Sequence, residues 1–229
     1  MYLYDILIKP LELIFEVIYV FSYRLTHNHG VTIICLSLAV NFLALPLYKR
    51  ADAMQAAERK KEKQLDHWRE HIKKTFKGDT RFMMLQTYYR QNDYRPIQAV
   101  RGALPLLLEI PFFIAAYHFL SSMTLLQGTS FGILSDLGAP DGLINAGGVS
   151  VNVLPVLMTV INLISGTVYT KDLSKKDKLQ LYGVALIFLV LLYKSPSGLV
   201  FYWTLNNIFS LAKNIVYSRK SPVTEAKNE

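Results

Sequence analysis

The chain has 229 residues, of which 52% are hydrophobic and 18% charged, with a mean hydropathy of +0.24 and a formal net charge of +8. That is more apolar than an ordinary soluble domain, and apolar runs free of basic residues alternate with short stretches crowded with Lys and Arg, a pattern of lipid and water by turns. The single cysteine, Cys35, sits in an apolar run, which excludes an intramolecular disulfide, a CxxC metal pair and a lipid-modified cysteine near the start.

The opening MYLYDILIKPLELIFEV lacks the basic region and small-residue cleavage site of a secretory signal and reads as part of the mature protein. Within 1–29, Leu11, Ile14, Phe15, Ile18, Phe21 and Leu25 recur at helical spacing, with Glu12, Glu16, Tyr19 and Tyr23 on the other face. This predicts an external amphipathic helix in the membrane interface, begun by Pro10. A sixth span is the alternative, and two glutamates make it a poor one.

A spanning helix needs about 20 mostly apolar residues, because ~30 Å of hydrocarbon is crossed at ~1.5 Å per residue. Five segments are predicted to span: 30–48, 103–122, 151–170, 179–193 and 197–217. The fourth reaches only about 22 Å and requires local thinning or help from its flanks, but its neighbours force a crossing. The segment 49–102 has helical patterning on both sides of a Lys77-Gly78-Asp79 turn, with Leu65, Trp68 and Ile72 on one arm and Phe82, Leu85 and Tyr89 on the other, and predicts a helical hairpin. Fourteen basic residues against seven acidic ones give it a charge of about +7. Such a charge retains the segment in the cytoplasm and attracts anionic lipid headgroups, or docks an acidic partner such as ribosomal RNA; both readings stand. Adding the connection 171–178 and the C-terminal end from Lys213 on, 22 Lys and Arg fall on one side of the membrane and 3 on the other, while the loop 123–150 carries none. The N-terminus is therefore expected outside and the C-terminus in the cytoplasm of a plasma-membrane protein.

Polar groups inside spans cost several kcal/mol when unpaired, so they face a cavity or another helix. Counted from each cytoplasmic end, Asn41 and Glu109 lie about 10 Å deep, Asn162 about 12 Å, and Asn206 and Asn207 about 15 Å. Four helices thus bring amides or a carboxyl to one layer in the inner leaflet, with Ser37 and Ser165 close enough to join; the fourth span brings nothing comparable and is expected to face lipid. One reading is interhelical glue, worth under ~1 kcal/mol per bond. The other is a hydrated recess open to the cytoplasm. Glu109 weighs toward the recess, since with no Lys or Arg deep in a span to pair with it is either protonated or in contact with water. Pro46, Pro105, Pro111 and Pro155 fit spans that bend around such a recess.

GVTIICLSLAVNFLALPLYKR resembles the first core span of the YidC/Oxa/Alb membrane-protein insertases, with its Pro-Leu exit into a basic hairpin. RPIQAVRGALPLLLEIPFFIAAYHFL is similar to the second, through Pro105, Pro111, Phe112 and Tyr117. ILSDLGAPD is similar to an external DL..PD stretch, and SPSGLVFYWTLNN to the Pro-x-Gly-Leu and Tyr-Trp motifs of the last span. Each motif is weak alone; four in order over nearly the whole chain are specific. The resemblance implies a five-helix core around a hydrophilic groove, and a non-enzymatic protein that receives a short hydrophobic segment, holds its polar flank and releases it laterally into a thinned bilayer. Ser37 and Trp203 fall where the family's groove contacts its substrate. The family's groove arginine falls at Asn41 and its second-span glutamine at Glu109, which lowers the positive potential and implies a specialised paralogue for neutral or basic tails or for one dedicated partner. An Asn41→Arg variant with unchanged substrate preference would count against that.

The competing reading is a small transporter or channel using Glu109 as a proton or cation site, against which stand the lack of an internal repeat and of a second intramembrane carboxyl. An enzyme is not expected: His118 is the one histidine within a span, and no P-loop is present. The expected whole is an all-α membrane protein of five transmembrane helices, an N-terminal external amphipathic helix and a cytoplasmic helical hairpin. Its candidate groove comprises Ser37, Asn41, Glu109, Asn162, Ser165, Trp203, Asn206 and Asn207. It is expected to need no cofactor or metal and to bind no DNA. Expected partners are nascent membrane proteins and anionic lipids, with the ribosome and the general secretion channel as further candidates.

Overall fold

The computed structural model describes residues 2–95, 104–146, 149–169 and 175–220. Arg101, Lys171 and the tail from 221 on, to which the sequence reading assigns cytoplasmic positions, lie outside the described residues. Seven α-helices are described: α1 Tyr2–Thr26, α2 His29–Thr75, α3 Gly78–Gln91, α4 Leu104–Ser121, α5 Leu154–Tyr169, α6 Lys175–Leu192 and α7 Ser197–Lys220. The loop between α4 and α5 holds a 3-10 turn, Thr124–Leu126, and two strands, β1 Ile144–Ala146 and β2 Val149–Val151. The strands pair antiparallel with Ile144 opposite Val151, so the chain is mostly helical rather than all-α. Two compact bodies are distinguished: Met1–Leu43 with Phe113–Glu229, and Ala44–Phe112.

α2 runs unbroken through Pro46 and joins the predicted first span to the first arm of the basic segment. A proline removes one main-chain bond, but the residues beyond it, QAAERKKEKQL, are strong helix formers that carry the helix on. Among the described residues α2 is the one helix long and apolar enough to cross a membrane by itself; Leu107–Ser121, Leu154–Val168 and Lys178–Leu192 are shorter apolar helices.

In the first body α1 begins at Tyr2 and contains Pro10, which therefore does not start it. It packs one face on the rest of the body and leaves another bare. Ile8, Phe15, Tyr19 and Ser22 are buried, while Ile14, Phe21 and Leu25 are exposed with Leu13 and Val17. The reason is aromatic packing: Phe15 meets Phe119 and Tyr202 with ring centroids 6.2 and 5.7 Å away, and Tyr19 meets Phe119 at 5.7 Å. Near its start, the Tyr4 hydroxyl donates to Glu12 Oε1 at 2.7 Å and lies 3.2 Å from Nδ1 of His118. Tyr4 and Tyr19 are about 22 Å apart along a helix axis, yet they touch the adjacent residues His118 and Phe119, so α1 crosses over the end of α4.

The connections are held by specific caps. Asn28 Oδ1 accepts from the Val31 N–H at 3.1 Å, an N-cap for α2. The loop after α4 is stitched to the start of α7, where orphan amides need acceptors: the Ser197 N–H donates to Ala139 O at 2.7 Å, the Gly198 N–H to Leu137 O at 2.8 Å and the Ser197 hydroxyl to Asp136 O at 2.6 Å. Asp136 in turn accepts from the Gly128 and Gly138 amides at 3.0 and 2.7 Å. At the start of α5 the buried Asp141 accepts from the Val153 and Leu154 N–H groups at 2.7 and 3.2 Å. Two charge-assisted bonds at a helix N-terminus make Asp141→Ala an expected loss of about 2 kcal/mol, measurable as a lower thermal midpoint in detergent; an unchanged midpoint would refute the cap.

Among the described residues the most extensive helix packing is α5 on α7, then α5 on α6. In lipid there is no hydrophobic drive between helices, so close approach at small residues matters most. Gly166 of α5 provides it: a Cβ there would lie 2.5 Å from Leu181 Cδ1 of α6. Outward, α6 shows Leu179, Tyr182, Leu186, Ile187, Val190 and Leu191 exposed.

In the second body α3 folds back along the end of α2 after a turn at Gly78, whose φ of +58° suits glycine. The Tyr88 hydroxyl donates to Leu65 O at 3.4 Å and Lys61 Nζ to Asp93 O at 3.0 Å, with the same ammonium 5.7 Å from the Tyr94 ring centroid. Leu65 and Ile72 are buried as the pattern predicts, but Trp68 and Phe82 are 57% and 68% exposed. Burial, followed by the charges of Glu62 and Glu58, pushes the Tyr94 phenol up to about 12.

Candidate functional site

α7 carries the polar centre of the first body. Its consecutive asparagines point about 100° apart on a helix and so reach different neighbours. Toward α2, Asn206 Oδ1 accepts from the Ser37 hydroxyl at 2.7 Å and from Asn41 Nδ2 at 2.6 Å; Asn41 Nδ2 also lies 2.8 Å from Ser37 O, one turn back. Toward α5, Asn162 Nδ2 donates to Asn207 Oδ1 at 2.9 Å, and Asn207 Nδ2 donates to Trp203 O at 3.0 Å. Ser37, Asn41 and Asn207 are buried, whereas Asn162 and Asn206 are half-buried. Three helices are thus tied at one level by carboxamides and a hydroxyl.

Ser165 does not join this group. It pairs two turns further along α7 with Asn214, whose Nδ2 donates to Ser165 Oγ at 3.0 Å. Asn214 was missed from the sequence, although its spacing of seven from Asn207 places both on one helix face. Glu109 lies half-buried in α4, within the Ala44–Phe112 body, and is engaged there in an interaction of its own. Trp203 is buried in an aromatic cluster, stacked on Phe188 of α6 at 5.5 Å and meeting Phe113 of α4 edge-on at 5.0 Å. α6 therefore contributes an aromatic wall, though no polar group to the layer. His118 is largely exposed, beside Tyr4 and Glu12 at the crossing of α1 over α4, away from the asparagines.

Tyr202 is fully buried, and the side chain its hydroxyl meets is that of Asn206, one turn along α7. Among the described residues no group of three or more His, Cys, Asp and Glu could hold a metal ion. The arrangement is suited to hydrogen bonding with uncharged polar groups.

A family model described as 60Kd inner membrane protein matches residues 21–225. Three proteins named membrane protein insertase YidC are similar to the chain. That of Treponema denticola is 26% identical over 93% of this chain and 38% of its own length. The relative from Endomicrobium trichonymphae is 28% identical over 90% and 39%, and that from Syntrophobacter fumaroxidans 31% identical over 92% and 37%. The chain therefore spans less than two-fifths of the length of these curated relatives. Among solved structures, an active YidC insertase with its first transmembrane domain resolved superposes with a TM-score of 0.59 at 26% identity, covering 91% of this chain and 45% of that one. The hydroxyl and asparagines that tie α2 and α5 to α7, and the aromatic wall beside them, thus lie within the matched region, and the chain belongs to the 60Kd inner membrane protein family, that of the YidC/Oxa/Alb insertases.

Proposed function

We propose that this chain is a membrane-protein insertase and chaperone, which accepts a hydrophobic segment of a nascent membrane protein and holds its polar flank while the segment enters lipid. The observation that carries the reading is the polar level on α7: Asn206, half-buried, gathers Ser37 and Asn41 of α2, while Asn207 takes Asn162 of α5, within stretches of these helices that are mostly apolar and free of Asp, Glu, Lys and Arg. The groove is read as Ser37, Asn41, Glu109, Asn162, Ser165, Trp203, Asn206 and Asn207. Five helical segments, the first part of α2 and α4 to α7, cross the plasma membrane with the N-terminus outside and the C-terminus in the cytoplasm. This orientation is supported by the asymmetry of Lys and Arg. α1 lies in the external interface, with its exposed Leu13, Val17, Phe21 and Leu25 against lipid. α3 and the end of α2 form a cytoplasmic hairpin whose basic surface attracts anionic lipids, with the ribosome and the secretion channel as further partners.

Reconstitution tests this. Purified protein in liposomes is expected to raise the protease-protected fraction of a small single-spanning substrate well above that in empty liposomes. A preparation that instead conducts protons or a solute through Glu109 and inserts nothing would replace this reading with a transporter.

A further inference from the structure

α1 is fastened to the rest of the first body at three points. In the middle, the buried Phe15 packs on Phe119 and Tyr202. At each end the fastening includes an imidazole. Toward the N-terminus, the Tyr4 oxygen lies 3.2 Å and Glu12 Oε1 3.8 Å from Nδ1 of His118 on α4. Toward the C-terminus, the buried Tyr19 places its hydroxyl 2.6 Å from His29 Nδ1, and Tyr23 stacks on the same imidazole at 4.4 Å.

A proton acts on the two ends in opposite directions. His118 is largely exposed, and a protonated Nδ1 there has two acceptors at hand, one of them a carboxylate, so its charge strengthens docking. Asp5 and Lys9, the other charged groups at this end of α1, pair with each other at 2.5 Å. His29 is half-buried, and the groups that face it from α1 are the phenols of Tyr19 and Tyr23, with the exposed His27 ring edge-on to Tyr23 and Arg24 also exposed. Residues 30–43 of α2 contain no Asp, Glu, Lys or Arg, and α4 contributes Phe119 against Tyr19. Burial therefore holds the docked His29 imidazole below its ordinary value of 6.5. An undocked imidazole regains the ordinary value, so this end is held at full strength above a pH of about 6.5 and less firmly as the pH falls below it. A proton on Nδ1 also makes the Tyr19 hydroxyl turn its hydrogen to a different acceptor in a buried setting, a cost that stacking of the imidazolium on Tyr23 offsets in part.

We propose that α1 is a strap with one pH-sensitive end: protonation of His29 frees residues 19–26 from α2, while the Tyr4, Glu12 and His118 end stays docked and Phe15 serves as the pivot. The freed end uncovers Phe119 of α4 and the first turn of α2.

The test uses the whole protein, with Cys35→Ala, in phosphatidylcholine nanodiscs, which wet both faces, so that it does not depend on the orientation proposed above. Spin labels join Phe21→Cys to Leu125→Cys in one sample and Ile6→Cys to Leu125→Cys in another; all three positions are exposed. Between pH 7.5 and 5.0 the Phe21 distance is expected to shift by at least ~3 Å, with a midpoint below that of a free imidazole, about 6.5, while the Ile6 distance stays within ~1 Å. His29→Gln, whose side chain can accept the Tyr19 bond but takes up no proton in this range, is expected to hold the Phe21 distance constant. Tyr19→Phe is expected to show the shifted distance already at pH 7.5, which keeps the proposal testable if the glutamine variant fails to fold. A Phe21 distance that does not change with pH, an equal shift in His29→Gln, an Ile6 distance that moves as far, or an unshifted folded Tyr19→Phe would overturn the proposal.

Discussion

Gly30→Val is expected to destabilise the first body by about 3 kcal/mol or more, at the upper end of what overpacking costs. A Cβ at position 30 would stand 2.0 Å from Cγ of the Phe131 ring, closer than any two non-bonded carbons approach. The ring has little room to retreat, because Phe131 pairs by backbone hydrogen bonds with Leu134 at 2.9 and 3.0 Å, and the loop beyond is stitched to α7 through Leu137 and Ala139. The clash therefore falls on the first turn of α2, two turns before Ser37. Thermal unfolding in detergent would show it as a lower midpoint and a smaller folded fraction. The double variant Gly30→Val/Phe131→Ala should be less destabilised than the sum of its parts, since neighbours in contact are not additive. A Gly30→Val protein as stable as the parent would show that the loop does not seat on α2 in this way.

What could be read from the sequence divides along physical lines. Apolar runs announce helices through composition alone, and α4, α5 and α7 begin and end within a few residues of the predicted segments. Depth could be counted as well, because every residue advances a helix by the same ~1.5 Å. On that count Asn41, Asn162, Asn206 and Asn207 fall at similar levels, and the structure joins them in pairs. Rotation about the axis was harder. By spacing Tyr19 falls on the polar face of α1, yet its ring packs on Phe119, because an amphipathic residue can bury its ring and keep its hydroxyl bonded, here 2.6 Å from His29 Nδ1. The continuity of α2 through Pro46 was hidden because a proline looks like an end when local signals alone are weighed. Asp136 and Asp141 lay in a loop that composition marks only as polar and glycine-rich, and nothing local shows which distant amides they accept from. Asn214 was within reach, since it shares a helix face with Asn207.

Asn206→Leu separates structural glue from substrate contact. The substitution keeps the volume of the side chain while removing the oxygen that accepts from both Ser37 Oγ and Asn41 Nδ2. Bonds between membrane helices average ~0.6 kcal/mol, so a stability loss of about 1–2 kcal/mol covers both, including the cost of leaving the two donors in apolar surroundings. Asn207→Leu also breaks two bonds, one from Asn162 across to α5 and one to Trp203 O within α7, and supplies the matched control on the next residue of the same helix. If these asparagines only fasten helices, insertion should follow stability in both variants. Asn206 is half-buried where Asn207 is buried, so it is the one positioned to meet a segment in transit. Insertion by Asn206→Leu is accordingly expected to fall about tenfold, equivalent to ~1.4 kcal/mol, beyond any loss that its thermal midpoint explains, while Asn207→Leu tracks its midpoint. Equal insertion by the two variants at equal stability would return the polar level of α7 to the role of glue.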